Sequence, residues 1–174
     1  MIKQFTFLGM FLLISSAAMA QQFSPKTAFL EKWENSKNYL LEIAESMPEE
    51  QYGFQPTERE MDFKSQLLHI RGNMLWLGTT HFSEEKFDRK ALQENIPQTK
   101  AATIKVLSEA FDYVLERIKA TDEDDFTREV DFFAGRKSKL QILNLLQDHV
   151  THHRGQLIVY LNLNQIEPPR YVGW

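Results

Sequence analysis

Four stretches of about twenty residues, each carrying apolar side chains at helical spacing, leave this 174-residue chain few ways to fold. In the first, Ser24 and Pro25 form a helix start, with Ser as N-cap and Pro at the first helical position. Phe29, Leu30, Trp33, Leu40, Leu41 and Ala44 then recur on one face, and Met47-Pro48 closes the helix. The second starts from Asp62 as N-cap and carries Leu67, Leu68, Met74, Leu75 and Trp76 toward His81-Phe82. The third runs from Pro97 to about Lys119 through Ile104, Leu107, Phe111, Val114, Leu115 and Ile118. The fourth opens on a capping box, Ser138 to Gln141, and extends to about Leu163. Each segment has one apolar stripe to bury. The spacing therefore predicts an all-α domain, an up-down four-helix bundle.

The connections are polar. Tyr52, Phe54 and Pro56 are the expected anchors of the first loop. In the connection from Thr121 to Lys137, Ala134-Gly135-Arg136 signals a turn and Asp131-Phe132-Phe133 a short strand. The acidic run Asp122 to Asp125 reads as a solvated loop and helix end. Pro168-Pro169 stops the fourth helix, and the aromatic tail to Trp174 is expected to pack back on the bundle.

The N-terminus has a different character. Lys3 precedes the apolar run Phe5 to Ile14, and Ala18-Met19-Ala20 matches a small-residue cleavage pattern. This predicts a secretory signal peptide over residues 1–20 and a domain over residues 21–174. The product would be exported, periplasmic or secreted, with no membrane attachment after cleavage. A net charge of −4 with interspersed charges argues against a nucleic-acid partner. The chain has no cysteine, so a metal would have to be held by His, Asp or Glu.

The chemistry-bearing feature is the run Asp148 to Gln156. On a helix, His149 and His153 lie one turn apart on one face, a spacing that suits two ligands of one ion. Gln156 and Tyr160 fall near the same face, with Asp148 to one side and His152 at the rim. His69 lies between Leu68 and Ile70, where an uncompensated imidazole is costly. It is either a third ligand or a buried histidine bonded to a carbonyl. Gly72 could allow close helix approach there, and Asn73 could reach the site. His81 reads as a surface or helix-end residue. Arg154 would either hold an anionic substrate or tie its helix to a neighbour. Supporting groups for a metal would be Asn73, Asp148, Gln156 and Tyr160. Trp33, Trp76, Tyr160 and the C-terminal aromatics would line a pocket if they face inward. No metalloprotease H-E-x-x-H is present, since the helix reads H-V-T-H-H.

Taken in order, Met47 to Thr57, Phe63 to Ile70, His149 to Gln156 and Pro168 to Tyr171 resemble the DinB-like superfamily. The resemblance covers nearly all of residues 21–174. It implies a bundle with a three-histidine metal site, here His69, His149 and His153. It also implies a divalent ion, zinc or nickel with iron as a further option, and a homodimer. The activities it implies are metal-dependent hydrolysis, or transfer and isomerisation with a low-molecular-weight thiol. Export favours the first, because thiol cofactors belong to the reducing cytosol. The expectation is thus an exported metal-dependent hydrolase acting on a small molecule. The alternatives are a thiol-dependent S-transferase or isomerase, and a non-catalytic metal-binding, dimerising bundle.

Overall fold

A computed structural model describes residues 24–174; the expected signal peptide, residues 1–20, lies outside the described residues. Four long helices form: α1 (Pro25–Ser46), α2 (Phe63–Phe82), α4 (Lys100–Ala120) and α5 (Lys139–Leu163). A short helix, α3 (Arg89–Glu94), lies between α2 and α4 and has no counterpart in the sequence expectation. Two short strands, β1 (Glu129–Val130) and β2 (Lys137–Ser138), pair antiparallel before α5.

Side-chain caps set where the helices begin. Ser24, Asp62, Thr99 and Ser138 each accept a hydrogen bond from the backbone N–H three residues on. Ser138 and Gln141 complete the expected capping box. The third long helix starts at Lys100 and not at Pro97, because Thr99 is extended and caps Ala102. The strand expected at 131–133 forms instead at Glu129–Val130. Phe132 and Phe133 lie in the turn, where Gly135 has φ 86° and Phe132 and Phe133 stack on Trp76.

The main helix interfaces are α1 with α4, α4 with α2, α2 with α5 and α5 with α1. Contacts along these seams give the chain directions. Lys26 reaches the Lys119 and Thr121 carbonyls, and Lys100 reaches Glu45, so α4 runs against α1. Tyr160 donates to the Met61 carbonyl at one end, and Lys139 lies over Phe82 at the other, so α5 runs against α2. The up-down sense holds for α1–α2 and for α4–α5. Between α2 and α4 the crossover 83–99, carrying α3, returns the chain along the bundle and leaves those two helices parallel.

The core is continuous from Trp33, Leu40 and Ile43 through Phe63, Leu67 and Met74 to Phe111, Leu146 and Leu157. Trp33 was expected at a pocket if inward-facing. It is instead 1 % exposed, between Phe29 and Phe111, with Nε1–H donating to the Phe111 carbonyl at 3.1 Å. The glycine at a close helix contact is Gly78, where an added Cβ would stand 3.0 Å from Val114 Cγ2. Gly72 faces open space, so it does not serve that purpose. Asp125 is not simply solvated: it pairs with Lys139, which is 4 % exposed, and with Arg128. The first loop is pinned by Tyr52, whose hydroxyl donates to the Ala44 carbonyl at 2.7 Å. The tail returns along α1, with Lys32 donating to the Gly173 carbonyl and Tyr171 edge-on to Tyr39, while Tyr171 and Trp174 stay largely exposed. Among the described residues no helix is long and apolar enough to cross a membrane.

Candidate metal centre

The antiparallel α2–α5 seam brings His69 opposite His149 and His153. One ligand atom from each of the three lies within 4.8 Å of the others, so the group could hold a metal ion. The ring centroids are 4.5–4.9 Å apart. His69 Nε2 and His149 Nε2 approach to 3.1 Å. Two nitrogens at about 2.0–2.1 Å from one zinc ion stand roughly 2.9–3.4 Å apart for angles between right and tetrahedral. The observed spacing falls inside that range.

A second layer fixes His153. Its Nδ1 lies 2.6 Å from Gln66 Oε1 and 3.2 Å from Gln156 Oε1. Both partners are carbonyl oxygens, so Nδ1 carries the proton and donates, leaving the Nε2 lone pair free as a ligand. Gln66 is itself held, since its Nε2 donates to Gln156 Oε1 at 2.7 Å and to Tyr160 Oη at 3.3 Å. Tyr160 in turn donates to the Met61 carbonyl at 2.8 Å. His149 Nδ1 is buried without a partner, so no side chain or carbonyl among the described residues fixes that ring's tautomer.

Burial sets the protonation of the cluster. Desolvation, helped by the neighbouring imidazoles, pushes His149 down to about 3 and His153 down to about 4. His69 is lowered for the same first reason, with His152 adding to it. As a residue His69 is exposed; only its inner edge is enclosed against His149. All three rings are therefore neutral at neutral pH, the form that binds metals.

This has a consequence for stability. In the unfolded chain these histidines return to about 6.5. Above that pH neither state is protonated and the contribution is complete. As pH falls below about 6.5 the unfolded state takes up protons first, and stability declines until the folded pKa values near 3 to 4 are passed. Urea midpoints of metal-free protein are expected to fall with pH across that window, and His149→Asn is expected to flatten the slope. Equal slopes in the two proteins would refute the assignment.

Several sequence expectations find their place here. Gln156 and Tyr160 support the site through Gln66. Asn73 is on α2 beside His69, in the wall of a cavity of about 690 Å³ that His69 also lines. Asp148 does not reach the cluster: it is exposed, on a shallow surface depression with Asn144 and Thr151. Helical geometry turns it too far round the axis. His152 is at the rim as expected, exposed, its Nε2 3.3 Å from Gln156 Nε2. Of the two readings open for His69, the buried histidine bonded to a carbonyl is not found: the residue is exposed, faces His149 and lines the cavity. His81 is a helix-end residue but not a surface one. It is 8 % exposed, with Nε2 lacking a partner; the Phe132 ring beyond β1 stands 6.0 Å away, and Lys139 at the start of α5 lies over the adjoining Phe82. Arg154 links α5 to α1 by standing over the Tyr39 ring at 5.0 Å; it is 6 % exposed, makes no ion pair among the described residues, and its Nη1 is buried without a partner. Trp76 lines the cavity beside His69; the C-terminal aromatics do not.

Gln66 is the residue that sequence reading missed. The signal was a polar side chain inside the apolar stripe formed by Phe63, Leu67, Ile70 and Met74. A larger open groove, about 950 Å³, lies at the far end around His81, Asp125 and Lys139. It contains none of the three clustered histidines and mixes charges of both signs, so the smaller cavity is the candidate site.

Comparison with known proteins agrees with this geometry. Two solved structures share the fold. A DinB-like protein from Bacillus subtilis is 21% identical with a TM-score of 0.67, covering 83% of this chain and 96% of that one. A DinB-like protein from Bacillus cereus is 18% identical with a TM-score of 0.69, covering 83% of this chain and 95% of that one. No curated protein matches the chain. The DinB family profile matches residues 19–170, which take in the whole of the bundle and every residue of the histidine cluster, and the chain is a member of the DinB family.

Proposed function

We propose that His69, His149 and His153 hold a divalent metal ion, zinc or nickel, and that the protein is an exported metal-dependent hydrolase acting on a small molecule. The observation that carries the metal reading is the 2.6 Å contact between Gln66 Oε1 and His153 Nδ1. A buried glutamine that fixes one histidine tautomer, with two more imidazoles in reach, is the support a metal ligand needs. Three nitrogen donors with no thiolate resemble sites that keep a position open. A divalent ion held there supplies Lewis acidity and brings water toward ionisation near neutral pH.

The chain's own residues do the rest. Gln66 and Gln156 accept hydrogen bonds from the His153 Nδ1–H and hold the ring in place. Tyr160 braces Gln66 against the Met61 carbonyl. The cavity at His69, walled by Trp76 and Leu68, gives a substrate apolar surface on one side of the site. Export rests on the N-terminal sequence pattern, and cell fractionation tests it.

The direct test is metal titration of protein purified without a histidine tag. About one ion per chain is expected, the stoichiometry of a single three-histidine site. A chain that takes up no ion removes the reading. The loaded protein is then assayed on ester, phosphoester and amide substrates. Turnover that depends on an added low-molecular-weight thiol would place the protein among the transferases instead.

A further inference from the structure

The cavity beside His69 has a charge pattern that the histidine site does not require. Trp76 from α2, with Phe87, Leu92 and Ile96 from α3 and its flanks, gives it apolar walls. Two arginines, Arg71 and Arg89, line it, and no aspartate or glutamate does. Neither arginine forms an ion pair among the described residues. Arg71 also borders a neighbouring depression containing Glu85 and Asp88, but both acids are engaged elsewhere. Glu85 meets Arg117 at 3.7 Å and the Tyr113 hydroxyl at 3.2 Å, and Asp88 caps the Ala91 N–H.

Arg71 is half-buried and its Nε is buried with no partner. Glu109 is the acid whose charge reaches Arg71, but it pairs with Lys105 at 3.8 Å and makes no ion pair with the guanidinium. A partly desolvated guanidinium without a direct partner at Nε is costly, and a bound anion would offset that cost. Arg89 is exposed at the start of α3, with its guanidinium carbon over the Phe87 ring at 6.0 Å, the outer reach of a cation–π contact. Asn73 Oδ1, also in the cavity wall, is buried and without a donor. The volume, about 690 Å³, is that of a small-molecule site.

We propose that this cavity binds a small organic anion with an apolar, ring-sized body, its carboxylate or phosphate held by Arg71 and Arg89 and its body against Trp76, Phe87, Leu92 and Ile96. Asn73 Oδ1 is placed to accept from an N–H or O–H of the same molecule. This names a substrate class for the hydrolase and rests on that reading for the reaction, though the binding itself does not need the metal. His69, the one clustered histidine in the cavity wall, puts the bond to be cleaved next to the anion pocket.

The test is calorimetric titration of metal-free and metal-loaded protein with 4-phenylbutyrate, phenyl phosphate and the uncharged 4-phenylbutyramide. At least one anion is expected to bind about tenfold more tightly than the amide, because charge-assisted bonds to arginine are the stronger ones. Arg71→Gln and Arg89→Gln are each expected to weaken that anion about tenfold while leaving the amide unchanged. Arg89 is exposed, so its variant keeps the test sound should Arg71→Gln fold poorly. The proposal is overturned if no anion binds, if anion and amide bind alike, or if Arg89→Gln binds the anion as the parent does. Anion binding by a chain that takes up no metal would sink the hydrolase reading and leave this one standing. Metal uptake without anion discrimination would sink this one alone.

Discussion

His69→Ala is expected to abolish stoichiometric metal binding while leaving the metal-free protein about as stable as the parent. The two effects separate because of where the residue sits. Its Nε2 faces His149 at 3.1 Å, but the residue is exposed and belongs to no packed layer of the core. Removing it deletes a ligand and little else. His153→Ala should lose the metal too, with a different stability signature. His153 is 6 % exposed, and its loss leaves Gln66, 1 % exposed, with an unpaired carbonyl oxygen. An orphaned buried polar group costs about 1–3 kcal/mol. Gln66→Ala keeps all three imidazoles and should weaken metal affinity by roughly 10–100-fold, the usual effect of removing an orienting contact. Calorimetric titration with Zn²⁺, with urea denaturation of the metal-free proteins, reads both quantities. Zinc binding by His69→Ala equal to the parent would end the three-histidine assignment.

Trp33→Ala should produce the largest loss of stability, about 3–5 kcal/mol, the range for deleting a buried aromatic. Trp33 fills the α1–α4 seam against Phe29 and Phe111 at centroid distances of 5.1 and 4.9 Å, and its indole N–H is satisfied by the Phe111 carbonyl. Alanine removes the ring, leaves a cavity and gives up that bond. A domain of this kind is stable by only about 5–15 kcal/mol, so a third or more of the total is at stake. The expected readout is a lower urea midpoint with an unchanged denaturant slope. Under conditions where Trp33→Ala is folded, metal uptake should match the parent, because the histidines lie on the α2–α5 seam. A small stability change with altered ligand binding would instead return Trp33 to the cavity wall.

Much of the bundle was legible because helix signals are local. A periodic apolar stripe needs a buried face, and Ser24, Asp62 and Ser138 satisfy the first N–H groups of their own helices. The short helix α3 was not legible: Arg89–Glu94 buries no residue and so carries no stripe. The third long helix was started too early, at Pro97, because Pro was read as the first helical residue; the Thr99 hydroxyl supplies the cap instead. His81 was misplaced for a related reason. The ring that stands beside it, Phe132, lies beyond its own helix.

The candidate site divides in the same way. The one-turn spacing of His149 and His153 follows from helix periodicity, so the sequence by itself determined that pair, along with the lack of thiolate ligands. Whether His69 met them was a tertiary matter. It depended on the crossover 83–99, which leaves α2 free to pack against α5, antiparallel and in register at Gln66–Gln156. The same packing turned Gln66 from an anomaly in an apolar stripe into the acceptor that fixes His153. It also turned Asp148 away and opened His69 to the cavity that α3 completes. Spacing along one helix is set by covalent geometry and backbone hydrogen bonds. Juxtaposition of two helices is set by how their buried faces fit, and that is decided only when the whole core packs.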